Sequence, residues 1–210
     1  AGTGMSSISR GGATLHIAHL FPEKLAGDIE RIPHSASVIA RQRPLESTGM
    51  LKLSARTAGK PLVMANLLTT TEGGAALPLN STLHSGFGLG EIDGVPFAYS
   101  TAPGSVYDTG EFTTDALALT WKDGTVFAAV CTVLSRNNRL LMQSREPVTC
   151  EFSESGARYC SGAEGSLSLG VSGRPSRVLI NGIATKFTHD KTAGTVTVKA
   201  PSGENTIVIR

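Results

Sequence analysis

Breakers recur along this chain faster than long helices can be completed between them. Gly accounts for 24 of the 210 residues and Pro for 10, and the intervals are dominated by Val, Thr, Ile and Leu. Short β-branched runs between tight-turn residues are the signature of many strands joined by hairpins. The C-terminal part shows it most plainly. Arg177 to Ile180 runs into Asn181-Gly182, a pair suited to the positive φ angles of a two-residue hairpin turn. Ile183 to Thr188 follows, then a turn over His189 to Gly194, the strand Thr195 to Ala200, a turn at Pro201-Ser202-Gly203 and a last strand ending at Ile209. Alternation places Val196, Val198 and Ala200 on one face, as in an antiparallel sheet lying over a core. The predicted fold is all-β: a large antiparallel two-sheet β-sandwich with little helix.

The same reading extends upstream. Strands are expected at Thr14 to Leu20, Ala36 to Arg43, Gly49 to Arg56, Leu62 to Leu68, Val95 to Ser100, Ala116 to Trp121, Val126 to Leu134, Leu140 to Gln143, Val148 to Phe152 and Ala157 to Cys160. Leu62 to Leu68 is almost continuously apolar, which predicts a strand covered on both faces. Pro22 to Glu30 alone has a helical flavour, and Gly27 inside it favours a turn-rich excursion. Residues 69–93 lack a clear period and read as a long loop, the kind of segment that carries function in compact domains. Residues 101–114 read as a second loop. Residues 1–12 are expected to be a disordered or cloning-derived segment ahead of a single β-sandwich domain over 13–210.

Composition removes several function classes. With 40% hydrophobic residues and a net charge of +2, the chain is too apolar and too weakly charged to be disordered. No run approaches the roughly 18 apolar residues of a membrane-spanning helix. The first residues lack the basic start and apolar stretch of a signal peptide. So small a charge excess offers no case for nucleic acid.

Three cysteines bear on the compartment. Cys150 and Cys160 flank a segment that reads as strand, turn, strand about Ser155-Gly156. A hairpin centred on residue 155 sets them opposite each other, within disulfide reach. They are either bridged or reduced and packed as small apolar side chains. A bridge would point to export, to a periplasm or the extracellular space. Cys131, inside Phe127 to Leu134, reads as core, and so does Trp121.

Few residues arrange themselves for chemistry. His16 and His19 stand three apart on a strand and face opposite ways, with no Cys or carboxylate spaced to complete a zinc site. His84 lies in the first long loop, where a general base would sit, though a solvated loop histidine fits the same position. Tyr99, Tyr107 and Asp108 are on the neighbouring strand and loop, and a Tyr–His pair suits proton abstraction beside a carboxylate. Gly86-x-Gly88-x-Gly90 precedes Glu91-Ile92-Asp93 rather than a helix, so it is not a phosphate loop. Glu91, Asp93, Asp108, Glu111 and Asp115 could form a calcium site across two loops, but they lack the spacing of a calcium loop. No Gly-x-Ser-x-Gly elbow is present for a hydrolytic triad. No metal and no cofactor is expected. Arg41 and Arg43 alternate onto one strand face, with Lys52 and Arg56 on an adjoining one. Such a strip could hold sulfates or uronates by bidentate contacts, or could simply be a solvated charged face.

Three stretches together resemble the β-sandwich half of heparinase II/III-type polysaccharide lyases. They are Gly49-Met-Leu-Lys-Leu to Pro61-Leu-Val-Met-Ala-Asn-Leu-Leu, Glu91-Ile-Asp-Gly-Val-Pro-Phe-Ala-Tyr, and Phe112-Thr-Thr-Asp-Ala-Leu-Ala-Leu. The tail from Val178 to Ile209 is similar to the closing strands of many carbohydrate-active enzymes. The likeness spans most of 13–210, and its motifs are turn and strand patterns with no catalytic signature. It implies a super-sandwich-like domain packed on a helical toroid that carries most catalytic groups, in the same or another chain. The implied reaction is β-elimination on an acidic polysaccharide: a base takes the proton α to a uronate carboxylate and the glycosidic oxygen leaves. This chain alone is then not expected to catalyse. His84 is the position expected to reach the cleft, with Tyr107 beside it. A stand-alone carbohydrate-binding or structural assembly module is the alternative, although 5% aromatic residues is thin for a glycan platform.

Overall fold

The computed structural model describes residues 4–10, 12–22, 26–31, 49–54, 63–153 and 156–210. Among these, every regular element is a strand or short bridge and none is a helix. The fold is built on one long hairpin, β12 (Thr125–Arg136) and β13 (Arg139–Ser153). It turns at Asn137-Asn138, both at positive φ, which Asn tolerates better than most side chains. At its base, β12 residues from Val126 to Cys131 pair with β13 residues from Val148 to Phe152; at its tip, Val133 to Arg136 pair with Arg139 to Gln143.

Each half of this ribbon carries its own flanking strands. One side of the base adds β11 (Ala118–Lys122), β8 (Val95–Ser100), β7 (Phe87–Ile92) and β6 (Leu79–Leu83). The other adds β14 (Gly156–Ser161), β20 (Gly203–Ile209), β16 (Val178–Ile180) and β17 (Ile183–Thr185). The tip is flanked by β10 (Phe112–Thr114) with β9 (Tyr107–Asp108), and by β15 (Gly165–Gly170), β19 (Thr195–Ala200) and β18 (Phe187–Asp190). Side chains from both halves enter one core, in which Phe112, Leu119, Leu134, Met142, Leu167 and Ile207 are fully buried. The sheet thus folds onto itself, and the all-β sandwich is as expected.

A sheet turns such a corner where its shared strands bulge. The β12–β13 register slips between Ala128 and Cys131 and again before Val133. Val130 there adopts φ +53°, a conformation strongly disfavoured for a β-branched residue. Asp115 holds the bend. One of its carboxylate oxygens accepts the backbone N–H groups of Thr132 at 2.8 Å and Val133 at 3.0 Å, and the other accepts the Thr132 hydroxyl at 2.6 Å.

A second, smaller sheet comprises β1 (Gly4–Arg10), β2 (Ala13–Phe21) and β5 (Ala65–Glu72), in the order β1-β2-β5. Ala18 and Leu20 of β2 pack on Phe97 and Tyr99 of β8, and the Tyr99 hydroxyl donates to the Leu20 carbonyl at 3.1 Å. A separate two-stranded pairing joins β3 (Ala26–Arg31) to β4 (Gly49–Ser54).

Three sequence expectations need correction. Part of 1–12 is a strand: β1 pairs along its whole length with β2, with Ser6 and Ile8 on one side of the sheet and Ser7 and Ser9 on the other. The strand within 62–68 is not covered on both faces. β5 is an outer strand of the small sheet, its burial alternates, and Leu68 is 59% exposed. Most of 69–93 is regular rather than loop, since it holds the end of β5, then β6 and β7. Thr, Ser and Gly in those strands hide the period-two hydrophobic signal. Ala36 to Arg43 lies outside the described residues.

Candidate functional site

The two residues singled out for chemistry share one aromatic stack. His84 leaves β6 and closes a tight turn in which its backbone N–H donates to the Phe87 carbonyl at 2.8 Å. That turn lays the His84 imidazole on the Phe87 ring, centroids 4.8 Å apart and planes 15° from parallel. Phe87 in turn lies on Tyr107, at 5.0 Å and 13°. The stack runs from solvent, where His84 is exposed, to the core, where Tyr107 is 6% exposed.

This geometry separates the two polar groups. Phe87 stands between imidazole and phenol, and the Tyr107 hydroxyl donates inward to the Ala116 carbonyl at 3.0 Å. Burial raises the Tyr107 phenol above its ordinary range, with Cys131 and Asp115 nearby adding to the shift. A neutral phenol committed to a buried carbonyl anchors β9 and is not placed to accept a substrate proton. His84 is left as an exposed imidazole face on an aromatic column.

The glycine cluster has a packing role. Gly88 lies opposite Tyr99 and Gly90 opposite Phe97 in the β7–β8 register. A Cβ at Gly88 would overlap the Tyr99 ring, and one at Gly90 the Phe97 ring and the Asn80 carbonyl. The two rings lie across the bare backbone, with centroids 6.4 Å apart, so the motif seats aromatics rather than phosphate.

Three of the five acidic residues are likewise occupied separately. Asp108 accepts the Gly110 N–H at 2.7 Å, Glu111 pairs with Arg136 at 2.6 Å, and Asp115 holds the corner. Among the described residues no three His, Cys, Asp or Glu side chains come together as a metal centre. His16 contacts the hydroxyls of Ser7 and Thr71 at 3.0 and 2.9 Å, and His19 contacts Ser6 and Asn66 at 3.2 and 2.8 Å. Both are satisfied within the small sheet. Arg41, Arg43 and Arg56 lie outside the described residues.

The hairpin expected to unite Cys150 and Cys160 forms, but in another register. Cys150 faces Tyr159 and Thr149 faces Cys160, which puts the two thiols on opposite faces of the sheet. Cys160 is exposed. Cys150 instead turns inward, its sulfur 3.9 Å from that of Cys131. A one-residue offset in the β13–β14 register was enough to defeat the estimate from spacing.

Two surface features carried no motif. A largely apolar groove of about 510 Å³ runs between the small sheet and the adjoining face of the large one, bordered by Leu20, Met64 and Leu67 on one side and Tyr99, Leu117 and Phe127 on the other. Met64, Leu117 and Phe127 are each more than a third exposed. A shallow depression of about 670 Å³ at the opposite layer is lined by Phe187, Lys186, Lys199, Glu164 and hydroxyl side chains. Sequence patterning misses such grooves because they join residues from distant strands.

No family model and no curated protein matches this chain. Among the described residues, no helix is long and apolar enough to cross a membrane.

Proposed function

We propose that this chain is the β-sandwich domain of a heparinase II/III-like polysaccharide lyase, supporting a separate helical catalytic domain in the β-elimination of uronate-containing polysaccharide. The observation that carries the reading is the apolar groove beside the small sheet. Met64, Leu117 and Phe127 are side chains that a domain working alone would gain by covering. The Tyr107 phenol, turned into the core, fits a scaffold role better than a self-sufficient active site. His84, exposed at the end of its stack, is the group this domain would offer at the edge of a shared cleft.

The test has two parts. Incubated with heparin, heparan sulfate or alginate, the chain alone should release no unsaturated uronate, and robust release would refute the supporting role. Peptides of this chain traced in its source cells should belong to, or copurify with, a helical lyase. A free product without one would transfer the weight to the second reading, a stand-alone glycan-binding module. That reading is favoured by one observation, the shallow depression in which Phe187 lies beside Lys186 and Lys199. An apolar ring beside two lysines, of which Lys199 is paired with Glu164 at 2.7 Å, is suited to an acidic sugar that competes with that carboxylate. Binding of uronate oligosaccharides, lost in Lys186→Ala and Lys199→Ala, would establish it.

A further inference from the structure

We propose that Cys131 and Cys150 form a buried disulfide that ties the two strands of the central hairpin together at the corner of the sandwich. The inference is independent of any lyase role. Cys131 is 1% exposed and Cys150 2%, and their sulfurs are 3.9 Å apart. That is contact distance, and a disulfide needs the sulfurs at about 2.05 Å, an approach of less than 2 Å that side-chain rotation can supply. The pairing follows from the bulge. Cys150 lies opposite Ala128 and Cys131 opposite Val148, and the one extra residue of β12 between these pairs puts Cys131 on the face that Cys150 occupies. The remaining thiol, Cys160, is exposed on the other face and cannot compete without breaking the β13–β14 register.

Timing follows from burial. In the folded chain, contact with Cys150 and then burial raise the Cys131 thiol far above its ordinary range, so the closed corner is unreactive. The bond therefore forms as the chain folds, by exchange with an external disulfide such as oxidised glutathione. The two cysteine S–H bonds and the external S–S bond break, and one Sγ–Sγ bond forms between residues 131 and 150. The two electrons and two protons leave on the reagent, as two molecules of free thiol.

The whole chain, refolded in a glutathione redox buffer or recovered from an oxidising compartment, is unfolded in denaturant and its thiols are titrated. One reactive thiol per chain is expected, against three for the reduced protein. Unreduced tryptic digestion should yield peptides Asp123–Arg136 and Glu146–Arg158 joined, separating on reduction. Cys160→Ser should keep that link and bring the thiol count to zero. Three thiols after oxidative refolding, or a link involving Cys160, would overturn the proposal. Because the count is made on the unsubstituted chain, no variant needs to fold for the answer to be read.

Discussion

Replacing Asp115 tests whether the corner is held as described. The carboxylate accepts three hydrogen bonds from two adjacent residues of β12, at the point where the register slips and Val130 is held at positive φ. A hydrogen bond to a charged acceptor contributes about 1.5–3 kcal/mol. The three share one side chain that is only half-buried, so water can take over part of the loss in Asp115→Ala, and the sum is not additive. A destabilisation of about 3 kcal/mol is expected. Asp115→Asn keeps one oxygen for the two N–H groups, and the Thr132 hydroxyl can reverse to accept from the amide. Its cost should be about 1 kcal/mol.

Urea unfolding followed by the fluorescence of Trp121 measures both. This is the single Trp, and it packs on Phe112 with ring centroids 5.0 Å apart, so it reports the core. With a slope of about 3 kcal/mol per molar urea, Asp115→Ala should lower the midpoint by about 1 M and Asp115→Asn by about a third of that. An alanine variant within about 0.5 kcal/mol of the parent, or equal effects of the two substitutions, would refute the stated role of the carboxylate.

Other consequences are as direct. Gly88→Ala puts a methyl group into the Tyr99 ring and should cost about 1–3 kcal/mol in urea unfolding; in a Tyr99→Ala background the added cost should vanish, and additivity would count against the pairing. Burial raises the phenols of Tyr107 and Tyr159, the latter to about 12. Their unfolded counterparts ionise near pH 10, so stability is complete below that pH and falls as pH rises above it. Tyr107→Phe should flatten this alkaline limb in melts taken across the range. The Asp190 carboxylate is held below its usual range by the N–H groups of Ala193 and Thr192, with a smaller contribution from His189. Its stabilisation is present above about pH 4 and lost as pH falls through the folded value, so Asp190→Asn should leave a shallower acid limb.

How much of this was legible in advance depends on where each signal resides. Hairpins closed by local chemistry were readable: Asp123-Gly124 and Asn181-Gly182 adopt the paired positive φ angles their residues favour. Cys131 and Trp121 lie in or against the core, as their apolar neighbours suggested. The strands of 69–93 were not readable, because Gly88 and Gly90 replace large side chains with space for rings supplied by another strand. The small sheet was hidden for a similar reason. In β1, Ser6 and Ser7 reach His19 and His16 on the neighbouring strand, so much of its burial is polar and carries no hydrophobic period. Cys150 and Cys160 failed on a one-residue change of register, which transfers a side chain to the opposite face.

The same physics explains why the candidate site was half visible. His84 and Tyr107 stand out in the sequence as an imidazole and a phenol in segments without a clear period, and they lie in one column. What their spacing could not convey is Phe87 between them, or the inward turn of the Tyr107 hydroxyl. Without that ring the pair would read as a proton relay; with it the column couples a surface imidazole to the packing of β9 beneath. The groove at Leu117 and Phe127 arises from a mismatch of areas. Among the described residues the small sheet has three strands and the base layer ten, and the small sheet packs over β7 and β8 rather than over β11 and β12. An apolar strip is therefore left where the second layer stops. That mismatch, rather than any catalytic constellation, is what makes a packing partner the economical reading of this fold.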